Sequence, residues 1–178
     1  MTDSPPYAES VAWLEKLAAA SPLVRVITFG HTAQGRPLCA VIASREGIAE
    51  TAKLPSNGKP TVLAQAGIHS GEIDGKDAGM MLLRDIAFGG KETLLDHANL
   101  LFIPVLNADG HERRSILNHP NQRGPAHQGW RTTAQNINLN RDYMKAQAPE
   151  MIAALKLIQD TKPALYLDIH VTDGVDYQ

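Results

Sequence analysis

The chain has 178 residues, 43% hydrophobic and 20% charged, enough for one domain with its own core and no need of disulfides or a structural metal. Its one cysteine, Cys39, can build neither an internal disulfide nor a thiolate zinc cluster. Seventeen basic and nineteen acidic side chains leave a net charge of -2, too weak a field to recruit nucleic acid or an anionic membrane.

The opening Met-Thr-Asp-Ser-Pro-Pro lacks the basic and then apolar pattern of a secretory signal. No run of about 18 apolar residues follows anywhere, so no membrane span is expected and a cytoplasmic location is. Ser4 as N-cap and Pro5 at the first helical position, followed by Tyr7, Val11, Leu14 and Leu17 at helical spacing, predict an amphipathic helix that stops at Ser21-Pro22. Segments 23–29 and 37–43 read as strands joined by a loop with a glycine near each end, hence a hairpin. The turn formers from Pro55 to Pro60 deliver the chain into a buried-type strand over 61–66.

Helical spacing returns over 71–87, with Gly71, Gly75 and Gly79 on one face where backbone could approach a sheet closely. Residues 99–105 form another strand candidate. Residues 106–148 lack clear periodicity, and an excursion of that length in a small domain is more often functional than idle. A helix over 149–159 and a strand over 164–169 close the pattern. Strands alternating with helices imply an α/β fold: a mixed, largely parallel central sheet flanked by helices, in a single domain over 1–178.

The chemistry gathers at strand ends. His69 and Glu72 follow directly on the strand 61–66, and His170 follows the strand 164–169. Ligand sites of α/β sheets lie at the carboxyl ends of strands, and adjacent parallel strands would bring His170 beside the first pair. Two histidines and a glutamate form a three-ligand set for zinc that leaves a fourth position open, the pattern of catalytic rather than structural zinc. Taken singly, each residue has a plain alternative: HxxE is a weak pattern, and His170 alone could be a buried histidine bonded to backbone.

An ordered series of motifs carries more weight. It runs from 11–17 through Gly30-His31-Thr32-Ala33-Gln34-Gly35-Arg36-Pro37-Leu38 and Gly67-Ile68-His69-Ser70-Gly71-Glu72. Asn107-Ala108-Asp109-Gly110, Trp130-Arg131, Asn140-Arg141-Asp142 and Asp168-Ile169-His170 complete it. In this order and over nearly the whole chain, they resemble the zinc carboxypeptidase family, metallopeptidases related to pancreatic carboxypeptidases. The resemblance implies zinc on His69, Glu72 and His170, and Arg131 as the donor that stabilises the oxyanion of the tetrahedral intermediate. It also implies Asn140 with Arg141 as the pair that grips a substrate's terminal carboxylate. The partner would then be a peptide or acyl-amino acid with a free carboxylate. A guanidinium suits both arginine roles, because it stays charged in a cleft and offers a planar fork to a carboxylate.

The sequence also departs from the family. Gly71 replaces an arginine that touches substrate in pancreatic members. Asn138 stands where they place an aspartate that orients the first zinc histidine; an amide can accept that hydrogen bond but adds no charge. Asn107 and Asp109 are expected to shape a turn through Asx hydrogen bonds. His31, His97, His111, His119 and His127 match no ligand position and read as surface or loop histidines. In the family the general-base glutamate, a substrate-covering tyrosine and the specificity pocket follow the third ligand, and here only residues 171–178 do. The sequence thus resembles the N-terminal portion of a metallocarboxypeptidase. An N-acyl amino acid deacylase of related fold and a catalytically silent zinc- or carboxylate-binding module stay open as alternatives. A sheet ending after a central strand is expected to expose apolar surface through which copies could self-associate.

Overall fold

The computed structural model describes residues 3–118 and 124–171. Five strands form one sheet in the order β1-β2-β4-β3-β5, with β1 at Val24–His31, β2 at Pro37–Ala43, β3 at Thr61–Ala66, β4 at Asn99–Ile103 and β5 at Leu165–Ile169. The hairpin strands β1 and β2 are antiparallel, as is β2 with β4, whereas β4, β3 and β5 run parallel. The sheet is therefore mixed, and its parallel strands are the ones that deliver chemistry.

Side chains alternate across the sheet with the period of two that a pleated strand imposes. Ile42, Leu63, Leu101 and Ile103 face Met151, Ala154 and Leu157 of helix α4 (Pro149–Thr161). Val41, Ala64, Ala66 and Phe102 face the other way, toward Leu14 and Leu17 of α1 (Tyr7–Ala20) and Leu83 and Ile86 of α2 (Asp74–Phe88). The result is three layers. Each fully buried leucine or isoleucine contributes roughly 1.5–3 kcal/mol of transfer free energy, and both faces hold several.

Glycine explains how closely α2 lies on the sheet. A Cβ at Gly75 would stand 2.6 Å from Ile169 Cγ2 and 3.1 Å from Ala66 Cβ, and one at Gly79 would enter the Phe102 ring. The expected glycine face is real for these two, while Gly71 precedes the helix.

The element boundaries differ where tertiary contacts override local signals. Helix α1 begins at Tyr7 rather than Pro5, because Glu112 Oε1 accepts the Tyr7 N–H at 2.7 Å and Ser4 Oγ turns instead to Asp77 Oδ1. Helix α2 begins at Asp74 rather than Gly71, since residues 69–72 are held in a turn. Helix α4 continues to Thr161, where Lys162 at φ 44° ends it. The aperiodic stretch contains a short helix α3 (Ala108–Glu112) and a 3-10 turn over Leu139–Arg141. No helix among the described residues is long and apolar enough to cross a membrane. The exposed apolar face expected from the sequence is present at β5. Among the described residues this strand pairs only with β3, and Leu165 and Leu167 are 50% and 42% exposed.

Candidate metal centre

Strand β3 ends at Ala66 and turns at Gly67, where φ is +63° and a Cβ would stand 3.0 Å from Val105 Cα. Only glycine accepts both conditions without strain. The turn is then closed by the Glu72 N–H donating to the His69 carbonyl at 3.0 Å. Ser70 Oγ anchors it to the N-terminus of α3 by donating to the Asn107 carbonyl at 2.7 Å. The parallel register Ala66↔Ile169 between β3 and β5 places His170 just past the neighbouring strand end.

His69, Glu72 and His170 meet there, with one ligand atom from each lying within 4.8 Å of the others. His69 Nδ1 faces Glu72 Oε1 at 2.9 Å, and His170 Nδ1 faces Glu72 Oε2 at 2.9 Å. The far nitrogens are spoken for. His69 Nε2 lies 3.1 Å from Asn138 Oδ1, and the Asn140 N–H donates to the same oxygen, which fixes the amide orientation. His170 Nε2 lies 3.2 Å from Asp168 Oδ2. Each ring thus has an oxygen acceptor on both sides and, when neutral, one N–H to share; directing that N–H outward from Nε2 presents both Nδ1 lone pairs to the Glu72 carboxylate. Lone pairs facing lone pairs need a cation between them, so this donor set fits a divalent metal of the zinc type.

The charge of Glu72 is secured. Burial on its own would raise its carboxyl, yet without a cation the ring N–H groups of His69 and His170 can turn to it and, with the Val171 N–H, bring it down to about 2. Arg131 Nη1 adds a further donor to Glu72 Oε1 at 3.2 Å from a half-exposed side chain. Its backbone is placed by Asn107, whose Nδ2 donates to the Arg131 carbonyl while its Oδ1 caps α3 through the Gly110 N–H. The turn carrying Asn140 and Arg141 is tethered to the centre through Asn138. Arg141 is exposed and donates to the Asn140 carbonyl at 2.8 Å. It does not pair with Asp142, which is buried and accepts from the Gln147 and Ala148 N–H groups.

The sequence profile of the zinc carboxypeptidase family matches residues 10–176. The chain belongs to that family. Among curated proteins, carboxypeptidase Z of Gallus gallus is 28% identical over 149 residues, covering 77% of this chain and 21% of its own length. Among solved structures, a metallo-carboxypeptidase from Burkholderia cenocepacia superposes with a TM-score of 0.73 at 23% identity, over 97% of this chain and 43% of its own. Carboxypeptidase A from Helicoverpa armigera gives 0.73 at 22%, over 94% and 46%. A metallo-carboxypeptidase from Pseudomonas aeruginosa, solved with (2-guanidinoethylmercapto)succinic acid, gives 0.68 at 22%, over 96% and 41%. The chain spans less than half the length of these solved relatives and about a fifth of the curated one.

Two residues stand differently from their expected places. Asp109 shapes no local turn: it is buried and accepts from Thr32 Oγ1, the Gln34 N–H and Arg36, tying the β1–β2 loop to α3. Asn107 does make the expected Asx bond. His111 is no surface histidine either. It is buried, with Nδ1 3.2 Å from the Ser70 carbonyl and Nε2 3.5 Å from Lys76 Nζ, where an apolar helix face would have been the simpler reading. Lys76, equally buried, gave no sequence signal. Asp168 stood in a quoted motif without a role, although residues i and i+2 of a strand share a face and so its contact with His170 was readable in principle. His119 and residues 172–178 lie outside the described residues.

Proposed function

We propose that the chain supplies the zinc- and carboxylate-binding residues of a metallocarboxypeptidase, acting on peptides or related amides that end in a free carboxylate. The observation that carries this reading is the convergence of His69 Nδ1, His170 Nδ1 and the Glu72 carboxylate, with both outer nitrogens held by acceptors. Zinc bound there would act as a Lewis acid on the scissile carbonyl and bring the pKa of water to about 7.

The chain's own residues divide the remaining work. Glu72 and the two histidines supply one negative and two neutral donors, so the site keeps a net positive charge suited to an anionic transition state. Arg131, with a charged head half in solvent beside Glu72, would receive negative charge as it develops on the carbonyl oxygen. A preorganised donor of that kind contributes on the order of 10²–10³ in rate. Asn140 and Arg141, on a turn braced by the same Asn138 that holds His69, would dock the terminal carboxylate through a planar fork. That the Pseudomonas relative was solved with a succinic acid derivative supports a carboxylate as the recognised group.

Elemental analysis after dialysis tests the reading, with close to one zinc per chain expected and its loss in a His69→Ala, His170→Ala double variant. A metal content that stays near zero after zinc is added overturns it. For Arg141, the unmodified protein should prefer a peptide acid over its amide, and Arg141→Lys should lose that preference.

A further inference from the structure

The two imidazoles are not held alike. Behind His69 stands a neutral amide, Asn138, whereas behind His170 stands a carboxylate, Asp168. Asp168 is itself held by two further donors at the β3–β5 junction. Gln65 Nε2 of β3 donates to its Oδ1 at 3.2 Å, and Tyr143 OH donates to its Oδ2 at 3.3 Å. The Tyr143 hydroxyl is in turn bonded to Tyr166 OH of β5 at 2.6 Å and lies 3.2 Å from Gln65 Nε2. Gln65 is fully buried and both tyrosines are partly buried against the core, which makes this a built network rather than a surface contact. Burial raises both phenols above the ordinary tyrosine range, so they remain neutral donors at any working pH.

From this arrangement we infer that Asp168 is a positioning residue for the metal centre: it pins His170 in the Nε2–H tautomer, turns Nδ1 toward the ligand set and supplies the negative charge that Asn138 cannot. The inference rests on the zinc reading above and deepens it. A ligating histidine commonly donates its second N–H to a carboxylate or carbonyl, which fixes ring orientation and raises basicity. Here the charged version of that partner sits behind the third ligand, two residues ahead of it on the same strand face. Gln65 and Tyr143 donate to the carboxylate, with Tyr166 bracing the Tyr143 hydroxyl, and so hold the Asp168 rotamer against swinging into solvent.

Zinc affinity, measured by competition with a chromophoric chelator, is the first readout; 15N chemical shifts of the His170 ring in the metal-free chain are the second. Asp168→Asn keeps an acceptor but removes the charge, and is expected to weaken zinc roughly tenfold. Asp168→Leu removes the acceptor too. It is expected to approach a hundredfold loss and to shift the His170 ring out of the Nε2–H form, which a merely structural role would not do. Tyr143→Phe leaves the carboxylate in place and should give a smaller loss in the same direction. If the Asp168 variants do not fold, Tyr143→Phe carries the test. Wild-type affinity and an unchanged His170 tautomer in the folded variants overturn the role of Asp168 while leaving the three ligands intact. A wild-type chain that takes up no zinc overturns the ligand reading itself and this inference with it.

Discussion

A single atom, Asn138 Oδ1, accepts from His69 Nε2 at 3.1 Å and from the Asn140 N–H at 3.1 Å, so the first metal ligand and the turn bearing Arg141 are referenced to the same point. Because that atom belongs to an amide, it orients the ring without adding charge. Asn138→Asp keeps both bonds and adds a carboxylate, and is expected to tighten zinc roughly tenfold. Asn138→Ala should loosen zinc and also weaken a peptide-acid ligand, since the Asn140–Arg141 turn loses its brace. The check is a pair of titrations, metal first and peptide acid second. An Asn138→Ala chain that loses metal affinity but keeps full acid binding would separate what this atom is argued to join.

Gly75 lets α2 rest on the two strands that deliver the ligands, with Ile169 of β5 and Ala66 of β3 both inside the reach of a Cβ. Gly75→Val forces either the helix away or the strands apart, an overpacking that typically costs 1–3 kcal/mol. Because Ile169 directly precedes His170, the variant is also expected to bind zinc less tightly. Chemical denaturation with and without zinc tests this; an unchanged midpoint in both would show that the helix can give way freely.

The parts of the fold that follow from local physics were readable from the sequence. Period-two and apolar runs gave β2 and β3 their full bounds, and the strand-exit argument brought His170 to His69 and Glu72, because all of it rests on residues near one another in sequence or in adjacent parallel strands. What escaped was set by contacts across the fold. Tyr7 starts α1 because a carboxylate from α3 caps it. Lys76 and His111 are buried because Pro5 and Ser10 at the start of α1, and Ser70 beyond β3, offer them partners from two distant segments. Asp109 shows the same limit: its sequence signature is that of a turn former, and its structural use is to hold a loop about 75 positions away.

His111 gives a pH dependence. Burial, and then the charges of Lys76 and Arg114, lower its pKa from the ordinary 6.5 to about 4. Its neutral ring donates to the Ser70 carbonyl and accepts from Lys76 Nζ, itself lowered by burial to about 8, with Asp77 as the nearest counter-charge. Between about pH 6.5 and 4 the unfolded chain takes up a proton that the folded chain refuses, so stability is fully present above 6.5 and falls as the pH drops through that window. The contribution is at most of order 3 kcal/mol. His111→Gln keeps a donor for Ser70 without the titration, and its denaturation midpoint with zinc bound should change less than wild type between pH 7 and pH 4.5. Parallel pH profiles for the two chains would remove His111 as the cause.

The last prediction concerns turnover. Hydrolysis needs a proton acceptor near the attacking water, and the carboxylates at this centre are already engaged. Glu72 Oε1 faces His69 and Arg131, and its Oε2 faces His170 and the Val171 N–H. Asp168 is held by Gln65, Tyr143 and His170. No further Asp, Glu, His or Cys among the described residues joins the ligand cluster. With no free carboxylate at the cluster among the described residues, the lack of a general base would cost about 10²–10⁴ in rate, while the Lewis acid and Arg131 would still polarise a bound carbonyl. The 178-residue chain loaded with zinc is therefore expected to bind a peptide acid yet to cleave it on the order of 10²–10⁴ more slowly than longer family members assayed beside it. Any residual cleavage should disappear with a chelator and in Arg131→Ala. Turnover equal to that of the longer enzymes, surviving removal of contaminating proteases, would mean that a base outside this cluster reaches the water, and that the division of labour argued for Glu72 and Asp168 is wrong.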